Sequence, residues 1–252
     1  MLSIKRWKQI YIYLSILVVL SGCGMNQEPI TSETDGIWNH FFVYPLSWLI
    51  TSMADLFQGS YGLAIIMMTI VIRLILLPFF IKQQRSTFAM RKLQPEMKEL
   101  REKYDTKDRE QAQKLQQEMM QLYSKHGVNP VAGCLPIFIQ MPILMAFYFA
   151  IMRTEEIANH NFLWMDLGQT DPLHIMPVAA GISMFIQTKV TMSQSPQQMK
   201  ALMYIMPGMM IIAGFALPSA LSLYWFAGGI FMIFQSLLFA RQRKRMEEST
   251  EQ

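Results

Sequence analysis

Charge is scarce in this chain. Asp, Glu, Lys and Arg make up 16% of its 252 residues, while 52% are hydrophobic. Soluble domains carry about 25% charge, so the deficit points to lipid rather than water as the main solvent. Cysteine is scarcer still. Cys23 and Cys134 are the only two, too few for a disulfide framework or a cysteine-based metal site. The histidines His40, His126, His160 and His174 lie far apart, with no HxxxH or HExxH spacing. Gly59-Ser60-Tyr61-Gly62 lacks the following Lys and the preceding strand of a nucleotide loop. Metal and nucleotide catalysis therefore have no visible machinery, and no cofactor is expected. Nor is any internal repeat visible. Methionine, by contrast, is abundant, with 23 residues mostly in or beside apolar stretches. The net charge of +4 is mild, so its location matters more than its size.

Residues 1–22 read as a secretion signal. Lys5, Arg6 and Lys8 precede the apolar run 10–20, which is short for a spanning helix. Leu20-Ser21-Gly22-Cys23 follows where cleavage should fall and looks like a bacterial lipobox. The expectation is cleavage before Cys23 and a lipid on that cysteine; an uncleaved first membrane helix is the alternative. The polar, Gly-free stretch 25–35 suits a tether. In 37–57, Trp38, Phe42, Leu46, Leu49, Met53 and Leu56 recur at helical spacing, with His40, Ser47, Thr51 and Asp55 opposite. This pattern predicts an amphipathic helix in the outer membrane interface, its main part opened by Pro45 at Leu46.

Five apolar stretches predict spanning helices at 61–81, 131–152, 173–190, 201–217 and 219–239. Between the first two lies the polar segment 82–130. Phe88, Leu93, Met97, Leu100 and Tyr104 form one stripe there, and Ala112, Leu115, Met119 and Leu122 another. Their 3-and-4 spacing predicts two helices zipped into a hairpin. Residues 105–108 supply its turn, and Pro95 marks a break or a fresh helix start. Pro136, Pro142, Pro177 and Pro207 fall in predicted spans and should kink them or free a carbonyl. Pro218 and Ser219 leave almost no loop between the last two spans.

Lys and Arg mark the cytoplasmic side. Eleven lie in 82–130, and Arg241, Arg243, Lys244 and Arg245 lie in the tail 241–252. The 153–172 loop carries Glu155, Glu156, Asp166 and Asp171 against one basic residue, Arg153. Five spans with the N-terminus outside satisfy this distribution, and the lipobox independently demands the same orientation.

Arg73 is the one charged residue of the first span. It sits about 18 Å into its helix, slightly past the middle of a hydrocarbon core about 30 Å thick. No acidic residue in any predicted span can pair with it. A lone arginine at that depth costs about 2.5–3.5 kcal/mol on insertion scales. Thr69 lies one turn earlier on the same face. Gln140 and Gln187 lie in other spans, and Ser222 and Trp225 share a face of the last. Together these residues suit a positively charged, water-filled groove that attracts a polar or acidic segment of another chain. Snorkelling of Arg73 to the inner interface is the bland alternative. The methionines offer pliable apolar surface for varied partners, or simply lipid-facing filler.

Further marks carry a resemblance. Tyr61-Gly62-Leu63-Ala64-Ile65 leads to Thr69-Ile70-Val71-Ile72-Arg73 and Leu77-Pro78. Gln94-Pro95, Asn129-Pro130, Gly133-Cys134, Pro136 and Gln140-Met141-Pro142 follow. Phe162-Leu163-Trp164, Asp166-Leu167, Asp171-Pro172, Pro218-Ser219-Ala220 and Leu223-Tyr224-Trp225 complete the series. From about residue 58 to 240 the chain resembles the YidC-type membrane insertases, related to the oxidase-assembly and albino proteins. The resemblance implies an all-α membrane protein, with five helices around a cytoplasm-open polar groove. It also implies a mobile cytoplasmic hairpin over 82–130 that receives substrates; the lipidated N-terminus and the amphipathic interfacial helix together make up 23–57. Arg73 matches the family's groove arginine, and Thr69, Gln187 and Trp225 match positions thought to touch substrate. The implied partners are nascent membrane proteins, the Sec translocon, membrane lipids and the ribosome; nucleic acid is not among them. The implied place is the bacterial plasma membrane. Glu247, Glu248 and Glu251 follow the basic residues of the tail, so strong ribosome docking through a long basic tail is not expected. The lipobox matches the single-membrane, Gram-positive form.

Two other function classes are weaker. A solute transporter would want paired intramembrane charges or repeats. An intramembrane protease would want Ser/His or paired Asp within the membrane. The predicted spans carry no Asp, and their one histidine, His174, lies at a helix end.

Overall fold

The computed structural model describes residues 28–104, 108–128, 135–192 and 197–250. The lipobox with Cys23, residues 105–107 of the turn, Cys134 and residues 193–196 of the link lie outside them. The architecture is helical, with one small β-hairpin.

The first helix, α1 (Tyr44–Leu56), is entered through a π-helical turn, Asn39–Val43. Helical backbone thus begins earlier than Leu46. Pro45 sits in the first turn of α1, directly after the π turn. The face that α1 buries overlaps the predicted stripe only in part: Leu46, Leu49 and Met53 pack on the main core. Val43, Ser47, Ile50 and Ala54 turn inward, while Phe42, Trp48 and Leu56 are exposed. Small residues let α1 approach its neighbours closely, and the bulkiest groups face outward. Ser47, expected on the polar face, instead shares a buried 2.6 Å hydrogen bond with Thr154. Ser47→Ala should cost about 1–3 kcal/mol by stranding the Thr154 hydroxyl, and adding Thr154→Val should recover much of it. Thermal unfolding of the four variants of that cycle measures the coupling.

The tether expectation needs correction over its described part. Ile30 is buried beside Val43 and Ala150, and its N–H donates to the Arg153 carbonyl at 2.9 Å. The Arg153 guanidinium donates to the Glu28 carbonyl and to Asn39 Oδ1, both at 2.8 Å. A buried cation that needs acceptors clasps the segment in place.

Helix α2 (Tyr61–Lys92) has 32 residues, about 48 Å. It does not stop at 81 but runs on into the basic segment. The break falls at Leu93, and α3 (Gln94–Lys103) starts with Pro95 in its first turn. Helix α4 (Arg109–Lys125) is capped by Asp108, which accepts from the Glu110 N–H at 2.9 Å. Leu93, Tyr123 and Val128 form a small core with Met97 and Met119 between these helices. Tyr104 donates to Glu118 at 2.6 Å, a bond that raises its phenol pKa above the ordinary value.

Helix α5 (Leu135–Arg153) and the short α6 (Glu155–Ala158) lead to strands β1 (Asn161–Phe162) and β2 (Met165–Asp166). The strands pair antiparallel, Asn161 opposite Asp166. Helices α7 (Ile175–Met192), α8 (Gln197–Gly214) and α9 (Ser219–Thr250) complete the chain. Helix α9 continues past 239 into the tail. Pro142 and Pro207 lie inside helices. Pro136 and Pro177 fall in first turns, where no helical hydrogen bond is lost and no kink is required.

Helix α9 packs mainly on α7 and α2, and α8 packs on α7. The main core gathers at one end, around Ile50, Ile65, Met68, Phe147, Ile151, Leu221 and Tyr224. The 153–172 loop closes that end, burying Ile157, Met165 and Leu167. It also satisfies helix N-termini, whose first N–H groups have no partner within the helix. Ser219 donates its N–H to the Gln169 carbonyl (2.6 Å) and its hydroxyl to the Asp166 carbonyl (2.6 Å). Asp171 accepts from the Leu173 and Met176 N–H groups and from Trp164 Nε1.

Candidate functional site

Beyond the capped end the packing changes character. The polar side chains of Arg73, Gln187, Thr188, Gln235 and Ser236 all lie further along their helices than the main core. Arg73 is half-buried. Its Cζ lies 5.9 Å from the centroid of the Phe80 ring. Seven residues of helix rise about 10.5 Å, so the two side chains lean toward each other. The charged head therefore sits nearer the basic end of α2 than its Cα does. Its other neighbour is α9. A Cβ placed on Gly228 would stand 2.9 Å from Arg73 Nη2, so the guanidinium rests on bare backbone. Among the described residues no carboxylate lies within ion-pair distance of it.

The other expected site residues fall into three groups. Gln140 reaches from α5 and donates to the Tyr224 hydroxyl at 2.8 Å. Tyr224 in turn packs on Phe147 with ring centroids 4.8 Å apart. Thr69 and Ser222 are fully buried. Thr69 donates to the Ile65 carbonyl of its own helix at 2.7 Å. The Ser222 hydroxyl has no partner among the described residues and lies close to Gly214 of α8. Gln187 and Trp225 are half-buried, Trp225 against the main core. Helix α9 is the common wall: Arg73, Gln140 and Gly214 approach it from α2, α5 and α8.

Sequence reasoning missed Phe80, Gly228, Gly229, Ser183 and Gln235. Some signal was available. Phe80 lies two turns from Arg73, and two adjacent glycines inside an apolar span are unusual because each weakens the helix. Gly229 faces α7, where its Cβ would stand 2.2 Å from Ser183 Oγ. Gln235 is buried, and its Oε1 has no partner among the described residues.

A second surface lies between α3 and α4. A cleft of about 580 Å³ is lined by Leu115, Met119, Met120 and Tyr123, with Arg101 and Gln116. Among the described residues no His, Cys, Asp or Glu cluster could hold a metal ion.

The family model of the 60Kd inner membrane protein matches residues 52–247. The chain belongs to this family. It is 59% identical over 234 residues to the membrane protein insertase YidC of Alkalihalophilus pseudofirmus, covering 91% of this chain and 93% of that one. It is 52% identical over 228 residues to the membrane protein insertase MisCA of Bacillus subtilis, covering 89% and 87%. The fold is similar to an active YidC insertase solved with its first transmembrane domain resolved. The TM-score is 0.63 at 26% identity, over 80% of this chain and 47% of the solved one. The chain thus spans about half the length of that structure. Membership makes it a membrane protein of the insertase family, not a catalyst of covalent chemistry.

Proposed function

We propose that the chain inserts other proteins' hydrophobic segments through a groove walled by α2, α5, α7 and α9, with Arg73 as its charged element. The placement of Arg73 carries this reading. A guanidinium inside an apolar helix, set against a glycine backbone and an aromatic ring, leaves its N–H donors for water or a passenger chain. Charge at membrane depth costs about 2.5–3.5 kcal/mol, and an acidic group meeting this arginine offsets part of that cost for both. Gln140, Gln187, Ser222 and Trp225 line or support the same path, and Thr69 shapes its closed end. The passenger's apolar part then leaves sideways into lipid, where burial of apolar surface drives it.

The five-span topology accommodates this function. Tyr61–Gln84 and Ser219–Phe239 are long and apolar enough to cross a membrane, and Phe138–Arg153, Ile175–Val190 and Tyr204–Gly214 are shorter apolar helices. On this reading the α3–α4 hairpin is cytoplasmic, as the Lys and Arg of 82–130 favour, and its Met-lined cleft suits reception of varied apolar segments. The capped end then faces outside, with α1 in the outer interface and Cys23 carrying a lipid anchor. On this reading the Sec translocon is a partner for larger substrates, and the ribosome contact is weak. Bilayer lipids surround the spans.

Thiol accessibility tests the groove. Cysteines placed at Gln140 and Gln187 in a Cys134→Ala background, which keeps the lipidated Cys23, should react with a membrane-impermeant maleimide from the cytoplasmic side of inverted vesicles. Right-side-out vesicles should protect them. Equal protection from both sides sinks the open groove.

A further inference from the structure

We propose that Gly228 is a positioning residue for the groove arginine, which together with the Phe80 ring sets where the Arg73 guanidinium lies. Through that placement it sets the preference for acidic over neutral passengers. This inference deepens the groove reading and rests on it.

The two glycines at 228 and 229 are adjacent, so they face directions about 100° apart on the helix. Their surroundings differ in kind. At Gly229 a Cβ would stand 2.2 Å from Ser183 Oγ and 3.0 Å from Ser183 Cβ. The hydroxyl is buried and already donates to the Ala180 carbonyl at 2.7 Å, so it cannot give way without disturbing α7. At Gly228 the Cβ would stand 2.9 Å from Nη2, 3.4 Å from Nε and 3.5 Å from Cζ of Arg73. All three atoms belong to the end of a long, flexible side chain. An alanine at 228 is thus tolerated by the fold, and is the better helix former, but it displaces the guanidinium. The displaced head moves off the backbone and off the Phe80 face, where cation–π attraction holds it. Glycine at 228 is intrinsically unfavourable inside a helix; seating this cation is what it permits. Gly229 serves helix packing instead.

The test uses the full chain with Gly228→Ala, Gly229→Ala and Arg73→Ala. Two single-spanning substrates differ only in an acidic or a neutral translocated tail. Gly228→Ala should lower acidic-tail insertion about five-fold more than neutral-tail insertion, equivalent to about 1 kcal/mol. It should add nothing further in the Arg73→Ala background. Gly229→Ala should lower both substrates alike. A second readout is independent of insertion: the rate at which a dicarbonyl reagent modifies Arg73, followed by peptide mass spectrometry. Gly228→Ala should change that rate at least about two-fold, because the head leaves its seat. An unchanged modification rate overturns the positioning role, and so does an equal loss on both substrates. A changed rate in Gly228→Ala, with Arg73→Ala leaving acidic-tail insertion intact, upholds the seat and overturns the charged-groove reading and the passenger preference with it.

Discussion

Arg73→Glu should abolish insertion of a small single-spanning protein with an acidic translocated tail, and Arg73→Ala should lower it by about ten-fold or more. The magnitude follows from one lost charge-assisted interaction, about 1.5–3 kcal/mol; glutamate adds repulsion of the passenger's own carboxylates. Arg73→Lys falls between. It keeps the charge but loses the planar head that lies against Phe80 at 5.9 Å. Protease protection in cells depleted of any paralogue, at matched expression, measures all three. Wild-type insertion by the Glu variant would remove the charge from the mechanism. The Met-rich surfaces and the α3–α4 cleft would then be the working elements.

Asp171→Ala should be the most destabilising single change in the cap. Asp171 is 1% exposed and accepts three hydrogen bonds, from Trp164 Nε1 (3.0 Å), the Leu173 N–H (3.0 Å) and the Met176 N–H (2.7 Å). Alanine strands these donors where little water reaches them, costing about 2–4 kcal/mol. That should lower the melting midpoint in detergent by roughly 5–12 °C. Asp171→Asn keeps one carbonyl acceptor and should lose about half as much. An unchanged midpoint in the alanine variant would show that the carboxylate does not hold the cap. The change also bears on function, because the same loop caps α7 and, through Asp166 and Gln169, the start of α9.

Legibility from sequence followed the range of the forces involved. Helix content was readable because apolar runs and 3-and-4 spacing are local. Arg73 stood out because one charge in a long apolar run is anomalous wherever it is read. The boundary at 81 was less readable. Polarity changes there, but the backbone has no reason to break before Leu93, so α2 runs on. The predicted stripe of α1 divides: Leu46, Leu49 and Met53 pack on the main core, while Phe42 and Leu56 are exposed. Hydrophobic periodicity finds the greasiest stripe, and beside lipid that stripe need not face the protein. Close packing chose Ser47 and Ala54 for the interior and left Trp48 and Leu56 outside.

The sequence by itself determined the solvent, the apolar runs, the basic side of the chain and the one charge that needs an explanation. Each is a property of composition along a line. Only the tertiary structure decided what that charge rests on, which polar groups are already satisfied and which end of the bundle is closed. Arg73 meets Gly228 across 155 positions of sequence (228 − 73), and Gln140 meets Tyr224 across 84. No local pattern carries such pairings, because they arise from helices packing side by side, where removing one Cβ is enough to seat a cation.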